Sequence, residues 1–344
     1  MLKKSLLLFL GATLIFMLSP IARSQTTILY LEPQEKYLQP TEIFTLTVYI
    51  ADVVNLNRWQ ITIKFDPHSL QCLSVSVPSD NIFAGNEIIN PPPTIDNEKG
   101  VVVKFVALDS MSSVAGSGKL VQIDFKAQKF KCYTSISFTG INQLNPINGT
   151  YLQDPQGQLI TFQDFPSIMH ILPSSQLFTL TKNGKIYNVT IYSNATLIND
   201  FIYNQTSRQI AFNLTAPTNA TSFNGILLTK AMLSYPYIVV KTDTTVLPKT
   251  VFENQTHILL CFTMVHNTTT INVVVIDTGA GDLNGDSKVD IRDVSLVAYS
   301  FGSYPDHPRW NPQADITGPA SQPDGKVDIR DVSLVASHFG EIYY

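Results

Sequence analysis

Trp59-Gln60-Ile61-Thr62-Ile63-Lys64-Phe65-Asp66-Pro67 decides how the first half of the chain folds. Apolar side chains stand at 59, 61, 63 and 65, and polar ones at 60, 62 and 64. A period of two sends successive side chains to opposite faces, so the stretch predicts a half-buried β-strand that ends in an Asp-Pro turn. Trp59 is in phase with Ile61 and Ile63. That phase predicts a core position for the indole, against the exposed platform that a sugar would stack on.

The same alternation continues on both sides. Phe44, Leu46, Val48 and Ile50 interleave with Thr45, Thr47 and Tyr49, and Val101 to Leu108, Val121 to Ala127 and Ser135 to Phe138 follow suit. Asp66-Pro67, Pro91-Pro92-Pro93 and Gly116-Ser117-Gly118 punctuate the run. Many short strands without a helical period predict a mainly β protein whose first domain, residues 26–165, is a β-sandwich. The order of pieces resembles a cohesin domain: an extended start with Pro33, the strand Phe44 to Ile50, the stretch from Trp59 to Pro67 leading to Leu70, and Gly118-Lys119-Leu120-Val121-Gln122-Ile123-Asp124-Phe125. The resemblance implies a jelly-roll sandwich with one sheet face that docks dockerins. Carbohydrate-binding modules share that architecture, so a polysaccharide is the alternative ligand.

Residues 166–277 change in texture, with strands rich in Asn and Thr. Phe178 to Lys182 and Lys185 to Tyr192 flank Asn183-Gly184, the signature of a two-residue type I′ hairpin. A second hairpin is predicted around Asn204-Gln205-Thr206-Ser207-Arg208, and His257 to Val265 and Ile271 to Ile276 add strands. The expected fold is a second, immunoglobulin-like sandwich. Asn188, Asn194, Asn204, Asn213, Asn219, Asn254 and Asn267 each begin Asn-x-Ser/Thr, and Asn148 does so earlier. Such crowding predicts a glycosylated spacer.

The tail, residues 281–344, writes one sentence twice. Val289-Asp290-Ile291-Arg292-Asp293-Val294-Ser295-Leu296-Val297-Ala298 returns identically as Val327 to Ala336. Oxygen-bearing groups at Asp282, Asn284, Asp286, the Lys288 carbonyl, Asp290 and Asp293 have the spacing of a calcium loop, in which hard oxygens at alternate positions converge on one cation. In the second copy Asp315, Thr317, Asp324, Lys326, Asp328 and Asp331 take those places, with 318–323 bulging out before Asp324. Ser287 stands where the sharp-turn glycine is expected, whereas the second loop has Gly325. Val294, Val297 and Phe301, and likewise Val332, Val335 and Phe339, have the i, i+3, i+7 spacing of one helical face. Two loop-helix units predict a helix pair stapled by two Ca²⁺ ions.

This duplicated unit resembles a dockerin domain, the calcium-dependent plug for cohesins. In that family the loop positions that open the helix contact the cohesin, which implies Ile291, Arg292, Ile329 and Arg330 as the partner-binding residues. The resemblance implies partners that bear cohesins or dockerins, copies of this chain among them.

Composition narrows the function. The tail holds ten Asp or Glu against five Lys or Arg, so the net charge of −4 resides there and no basic patch invites nucleic acid. Met1-Leu2-Lys3-Lys4 and the apolar run from Ser5 to Leu18 predict a signal peptide over residues 1–25, and hence a secreted or cell-surface protein with no other membrane span. Three cysteines then predict one disulfide and a spare thiol. Cys72 and Cys132 share the first domain and are the expected pair, and Cys261, in an apolar strand, is the expected inert thiol. The six histidines lack metal spacing, and no nucleophile or phosphate-loop motif is present, so the expected class is a non-catalytic assembly protein. Asp66 and Asp96 read as turn residues and not as a glycosidase pair.

Overall fold

Alternating burial builds two sandwiches in succession, and a short helical tail closes the chain. The computed structural model describes residues 26–141, 149–233, 237–243, 245–268, 270–305, 307–311, 313–318 and 324–343. The expected signal peptide and Asn148 lie outside them, as does most of the bulge in the second loop.

The first sandwich runs β1 (Thr27–Glu32), β2 (Glu35–Leu38), β3 (Ile43–Leu56), β4 (Arg58–Lys64), β5 (Leu70–Ser76), β6 (Ile88–Ile89), β7 (Thr94–Asp96), β8 (Val101–Leu108), β9 (Val114–Ala127), β10 (Lys131–Phe138), β11 (Tyr151–Gln153), β12 (Leu159–Ile160), β13 (Phe162–Phe165) and β14 (Ser167–Ile171). One sheet has the order β13-β1-β3-β9-β5. In the other, β12-β11-β4-β10-β14-β2 form the path, with β8 on the free side of β4 and β6 and β7 on β8. β13 joins β1, and β14 joins β2, in parallel. The sandwich thus extends past residue 165, because Ser167, Met169 and Ile171 alternate into it.

Leu46, Val48, Ile50, Trp59, Ile61, Ile63 and Phe125 fill the space between the sheets. Each such side chain contributes about 1.5–3 kcal/mol by leaving water. Trp59 is 1 % exposed, the core position its phase predicts. β4 departs from simple alternation, since Gln60 and Thr62 are buried too. β10 pairs with β4 only at its end and β11 only at its start, so the middle of that edge lacks a continuous ladder. The chain at 149–150 fills the gap: Gln60 Nε2 and Thr62 Oγ1 donate to the Gly149 carbonyl at 2.7 and 2.9 Å, and the Thr62 N–H donates to Thr150 Oγ1 at 3.1 Å.

The second sandwich comprises β15 (Ser175–Lys182), β16 (Lys185–Ser193), β17 (Leu197–Asn204), β18 (Gln209–Thr215), β19 (Thr221–Thr229), β20 (Tyr237–Thr242), β21 (Thr250–Glu253), β22 (His257–Val265) and β23 (Thr270–Thr278). Its sheets are β15-β16-β19-β22-β21 and β17-β18-β23-β20, over a core that includes Val189, Phe212, Ile226 and Leu260. Asn183 and Gly184 both have positive φ, 51° and 75°, as a type I′ turn requires.

The expected Cys72–Cys132 disulfide is not formed. Cys72 lies in β5 inside the first core, where burial pushes its thiol up to about 12. Cys132 lies in β10 beyond that core, among Leu172, Leu259 and Cys261, and bonds to Cys261 of β22 with Cα atoms 5.6 Å apart. The bond joins the two sandwiches. Around it Tyr37 stacks on His170 at 4.5 Å and Phe130 on Phe223 at 5.4 Å, while Asn254 Nδ2 donates to Glu35 Oε2 at 3.2 Å.

In the tail, α1 (Ile291–Ser300) and α2 (Ile329–Ser337) pack through Val297 and Val335 with Leu283, Val289, Ala314 and Val327. Phe301 and Phe339 do not join this core, at 46 % and 58 % exposed. The helices end at Ser300 and Ser337, so the helical phase that would turn position i+7 inward is already lost.

Candidate functional site

Each tail loop is folded around two buried carboxylates. In the first, Asp293 Oδ1 accepts the Leu283 and Asn284 N–H groups at 2.8 and 3.1 Å and its Oδ2 accepts the Asp290 N–H at 2.9 Å. Asp282 Oδ1 accepts from Gly285 and Asp286 at 2.8 and 3.1 Å, and Oδ2 from Ser287 at 2.9 Å. The second loop repeats the scheme. Asp331 Oδ1 takes the Ile316 and Thr317 N–H groups at 2.8 and 2.9 Å together with the Thr317 hydroxyl at 2.9 Å, and Oδ2 takes Asp328 N–H at 2.7 Å. Asp315 accepts from Asp324 and Gly325 at 3.2 and 2.8 Å. Asp315 therefore stands in the second loop where Asp282 stands in the first, despite the longer spacing.

Asp290 and Asp328 cap the helices, each accepting the N–H two residues on at 2.7 and 2.8 Å. Ser287, at φ 69°, adopts the left-handed turn that Gly325 makes at φ 81°. A serine thus accepts the backbone conformation for which the sequence pattern asks glycine. The loops are also tied crosswise. Gly340 N–H donates to Val289 O and Gly302 N–H to Val327 O, both at 2.8 Å, while Val289 and Val327 N–H donate to Glu341 O and Ser303 O, both at 3.0 Å. The segment after each helix thus pairs with the loop of the other repeat.

Among the described residues no three His, Cys, Asp or Glu side chains converge as a ready-made metal cluster. Asp286 and Asp324 turn instead to Arg292 and Arg330, at 3.3 and 2.5 Å. The donor set nonetheless fits a hard cation. Asn284 has both amide atoms buried and without a hydrogen-bond partner, at the third position of the first loop. Burial pushes the Asp282 and Asp293 carboxyls above the usual range, and that of Asp315 to about 6. Desolvated carboxylates beside an orphaned amide oxygen lack the positive charge that Ca²⁺ would supply. The ladder along the first loop uses the Ser287 carbonyl and the Val289 N–H, and leaves the Lys288 carbonyl out.

The partner-binding residues implied for the tail are at its surface. Ile291 and Ile329 are 65 % and 64 % exposed, with Arg292 and Arg330 beside them. Tyr299, 66 % exposed, extends the α1 stripe two turns on. No sequence motif marks Tyr299, but its i+8 spacing from Ile291 does.

On the first sandwich, the outer face of β4 and β8 sets Val101, Val103 and Phe105, all half-buried, opposite Lys64, Thr62 and Gln60. The outer face of the other sheet carries a row of rings: Phe165 of β13, Tyr30 of β1 and Tyr49 of β3 are register neighbours. Tyr30 and Tyr49 stack on each other at 5.2 Å and 9°, so each covers one face of the other.

Residues 33–144 match the family model of the cohesin domain, and the first sandwich carries that domain. The chain is similar to a type II cohesin domain from the cellulosome of Acetivibrio cellulolyticus, at 22 % identity over 42 % of this chain and 95 % of that one (TM-score 0.36). It is also similar to the non-cellulosomal cohesin of Archaeoglobus fulgidus, at 10 % identity over 43 % and 91 % (TM-score 0.33), and to the Clostridium thermocellum type I cohesin–dockerin complex, at 11 % over 42 % and 93 % (TM-score 0.34). No curated protein matches the chain. Cohesin domains are non-catalytic modules that bind dockerin-bearing partners.

The carboxylates considered for catalysis hold turns. Asp66 accepts from His68 N–H and the Ser69 hydroxyl at 3.0 and 2.6 Å, and Asp96 from Glu98 and Lys99 N–H at 3.1 and 2.9 Å. No helix among the described residues is long and apolar enough to cross a membrane. Of the Asn-x-Ser/Thr sites, Asn188, Asn194, Asn204, Asn219 and Asn267 are exposed. Asn213 and Asn254 are half-buried, and their amide nitrogens already donate, to Asp200 and Glu35.

Proposed function

We propose that this protein is a secreted or cell-surface connector. Its cohesin domain receives dockerins on the β4–β8 face, and its tail is itself a dockerin-like plug shaped by two Ca²⁺ ions. The observation that carries the reading is the orphaned, buried Asn284 amide among desolvated carboxylates, repeated in outline at Asp315 and Asp331. A cation in each loop would hold its helix by the first turn and thereby fix the surface positions of Ile291 and Ile329. Asp282, Asn284, Asp286, the Lys288 carbonyl, Asp290 and Asp293 would hold one ion, and Asp315, Thr317, Asp324, the Lys326 carbonyl, Asp328 and Asp331 the other. The second sandwich, immunoglobulin-like in its two-sheet plan, is the spacer, with glycans on its exposed sequons.

The receiving face supports protein over polysaccharide. A small half-buried apolar centre at Val103 and Phe105, with the exposed Lys64 at its edge, suits a docked helix pair. The aromatic row lies on the opposite sheet, where Tyr30 and Tyr49 stack on each other. The test is capture by the immobilised full-length protein of a dockerin-bearing protein, and of a cohesin-bearing one, with calcium and with chelator. Capture of both in calcium and neither in chelator is the expected result. Equal capture in chelator would remove the metal from the mechanism.

A further inference from the structure

All three parts of the chain meet at a crevice of about 570 Å³, within the size range of small-ligand sites. Phe130 and Tyr133 of the first sandwich, Phe223 and Lys249 of the second, and Trp310 of the tail line it, and the Cys132–Cys261 disulfide forms part of its wall. The walls are held in place. Phe130 stacks on Phe223 across the module boundary, Tyr133 leans on Phe252 at 5.4 Å, and Gln313 Nε2 of the tail donates to the Leu247 carbonyl two residues before Lys249.

Lys249 is the anomaly. It is half-buried in the crevice wall, and among the described residues it has no ion pair and donates no hydrogen bond, while no Asp or Glu lines the crevice. Burial pushes it down to about 8. A partly desolvated, unpaired ammonium costs some stability that a methionine there would not. Lys131, at the rim, adds a second positive charge and reaches only Asp66, at 3.8 Å. Trp310, whose ring is in no stack among the described residues, the lining Thr250 and Thr263, and two cations without a lining anion describe a ringed, hydroxylated carboxylate.

We propose that the crevice binds an acidic sugar, a hexuronate residue of a polysaccharide, with its carboxylate on Lys249 and its ring against Trp310. The negative face of an indole attracts the C–H groups of a pyranose, and the ammonium supplies a charge-assisted hydrogen bond. This site is separate from the docking faces and does not depend on calcium-driven docking.

The test uses the full-length protein and its own fluorescence. The chain has two tryptophans, and Trp59 is sealed in the first core, so a ligand-dependent change reports Trp310. Trigalacturonate should change the emission saturably, and Lys249→Met should weaken it about tenfold, the worth of one charge-assisted hydrogen bond. Lys249→Arg should retain binding, and Lys249→Gln serves should the methionine variant not fold. Trp310→Phe should abolish the signal. Unchanged affinity in Lys249→Met or Lys249→Gln, equal binding of cellotriose or of triglutamate, or no saturable change up to about 10 mM each overturns the proposal.

Discussion

Cys132 and Cys261, 129 residues apart in the chain, are bonded across the boundary between the two sandwiches. Closing a loop of that length restricts the unfolded chain by up to about 5 kcal/mol. Replacing both cysteines by serine should lower the unfolding temperature and split one calorimetric transition into two, since each sandwich keeps its own core. A single unshifted transition in the double variant would show that the noncovalent contacts alone couple the sandwiches.

Calcium should bind twice per chain. Asp282→Ala with Asp286→Ala should leave one ion by titration calorimetry and reduce the helical circular dichroism of the tail. Asn284→Ala should lower calcium affinity without destabilising the metal-free protein, because the amide has no other partner. Unaltered stoichiometry in the aspartate pair would refute the ligand set.

Val103→Arg or Phe105→Arg should weaken binding of a dockerin-bearing partner by about 2 kcal/mol or more, roughly thirtyfold. Tyr30→Ala on the opposite sheet should leave capture intact. The reverse pattern, read by surface plasmon resonance, would move the docking face to the aromatic row.

Lys249 should give the chain a pH dependence. Its folded value, about 8, lies below the 10.5 of a free lysine, so between these values the unfolded chain holds more protons and stability rises with pH. At neutral pH the cost is at most about 3 kcal/mol, and less because water enters the crevice. Lys249→Met should therefore raise the unfolding temperature at pH 7 and flatten the curve from pH 8 to 10. A variant less stable than the parent at pH 7 would contradict this.

Gly279 lies under the ring of Tyr343, where a Cβ would overlap it, and Arg208 of the second sandwich donates to the Tyr343 carbonyl at 3.1 Å. Gly279→Ala should displace this strap and speed amide exchange at Val289 and Gly340, which it helps to pair. Unchanged exchange would show that the crosswise ladder holds without it.

Period and turn chemistry made much of this legible. Trp59, the Asn183-Gly184 hairpin and the duplicated helices could be read because each depends on neighbours in sequence. Phe301 and Phe339 misled because their spacing counts only while the helix lasts, and the helix ends one residue earlier at Ser300 and two earlier at Ser337. The Cys132–Cys261 pairing was invisible because it is set by how two domains meet, which no local pattern encodes. Burial of Gln60 and Thr62 likewise follows from a distant segment, at Gly149 and Thr150, that crosses their strand.

A connector that joins partners must bear tension between them. Pull exerted on the cohesin domain against the tail would pass from β10 through the sulfur bridge into β22, and thence by β23 to the tail. The 128 residues between the two cysteines would be shunted out of the load path, so most of the second sandwich would hang slack beside a taut covalent line.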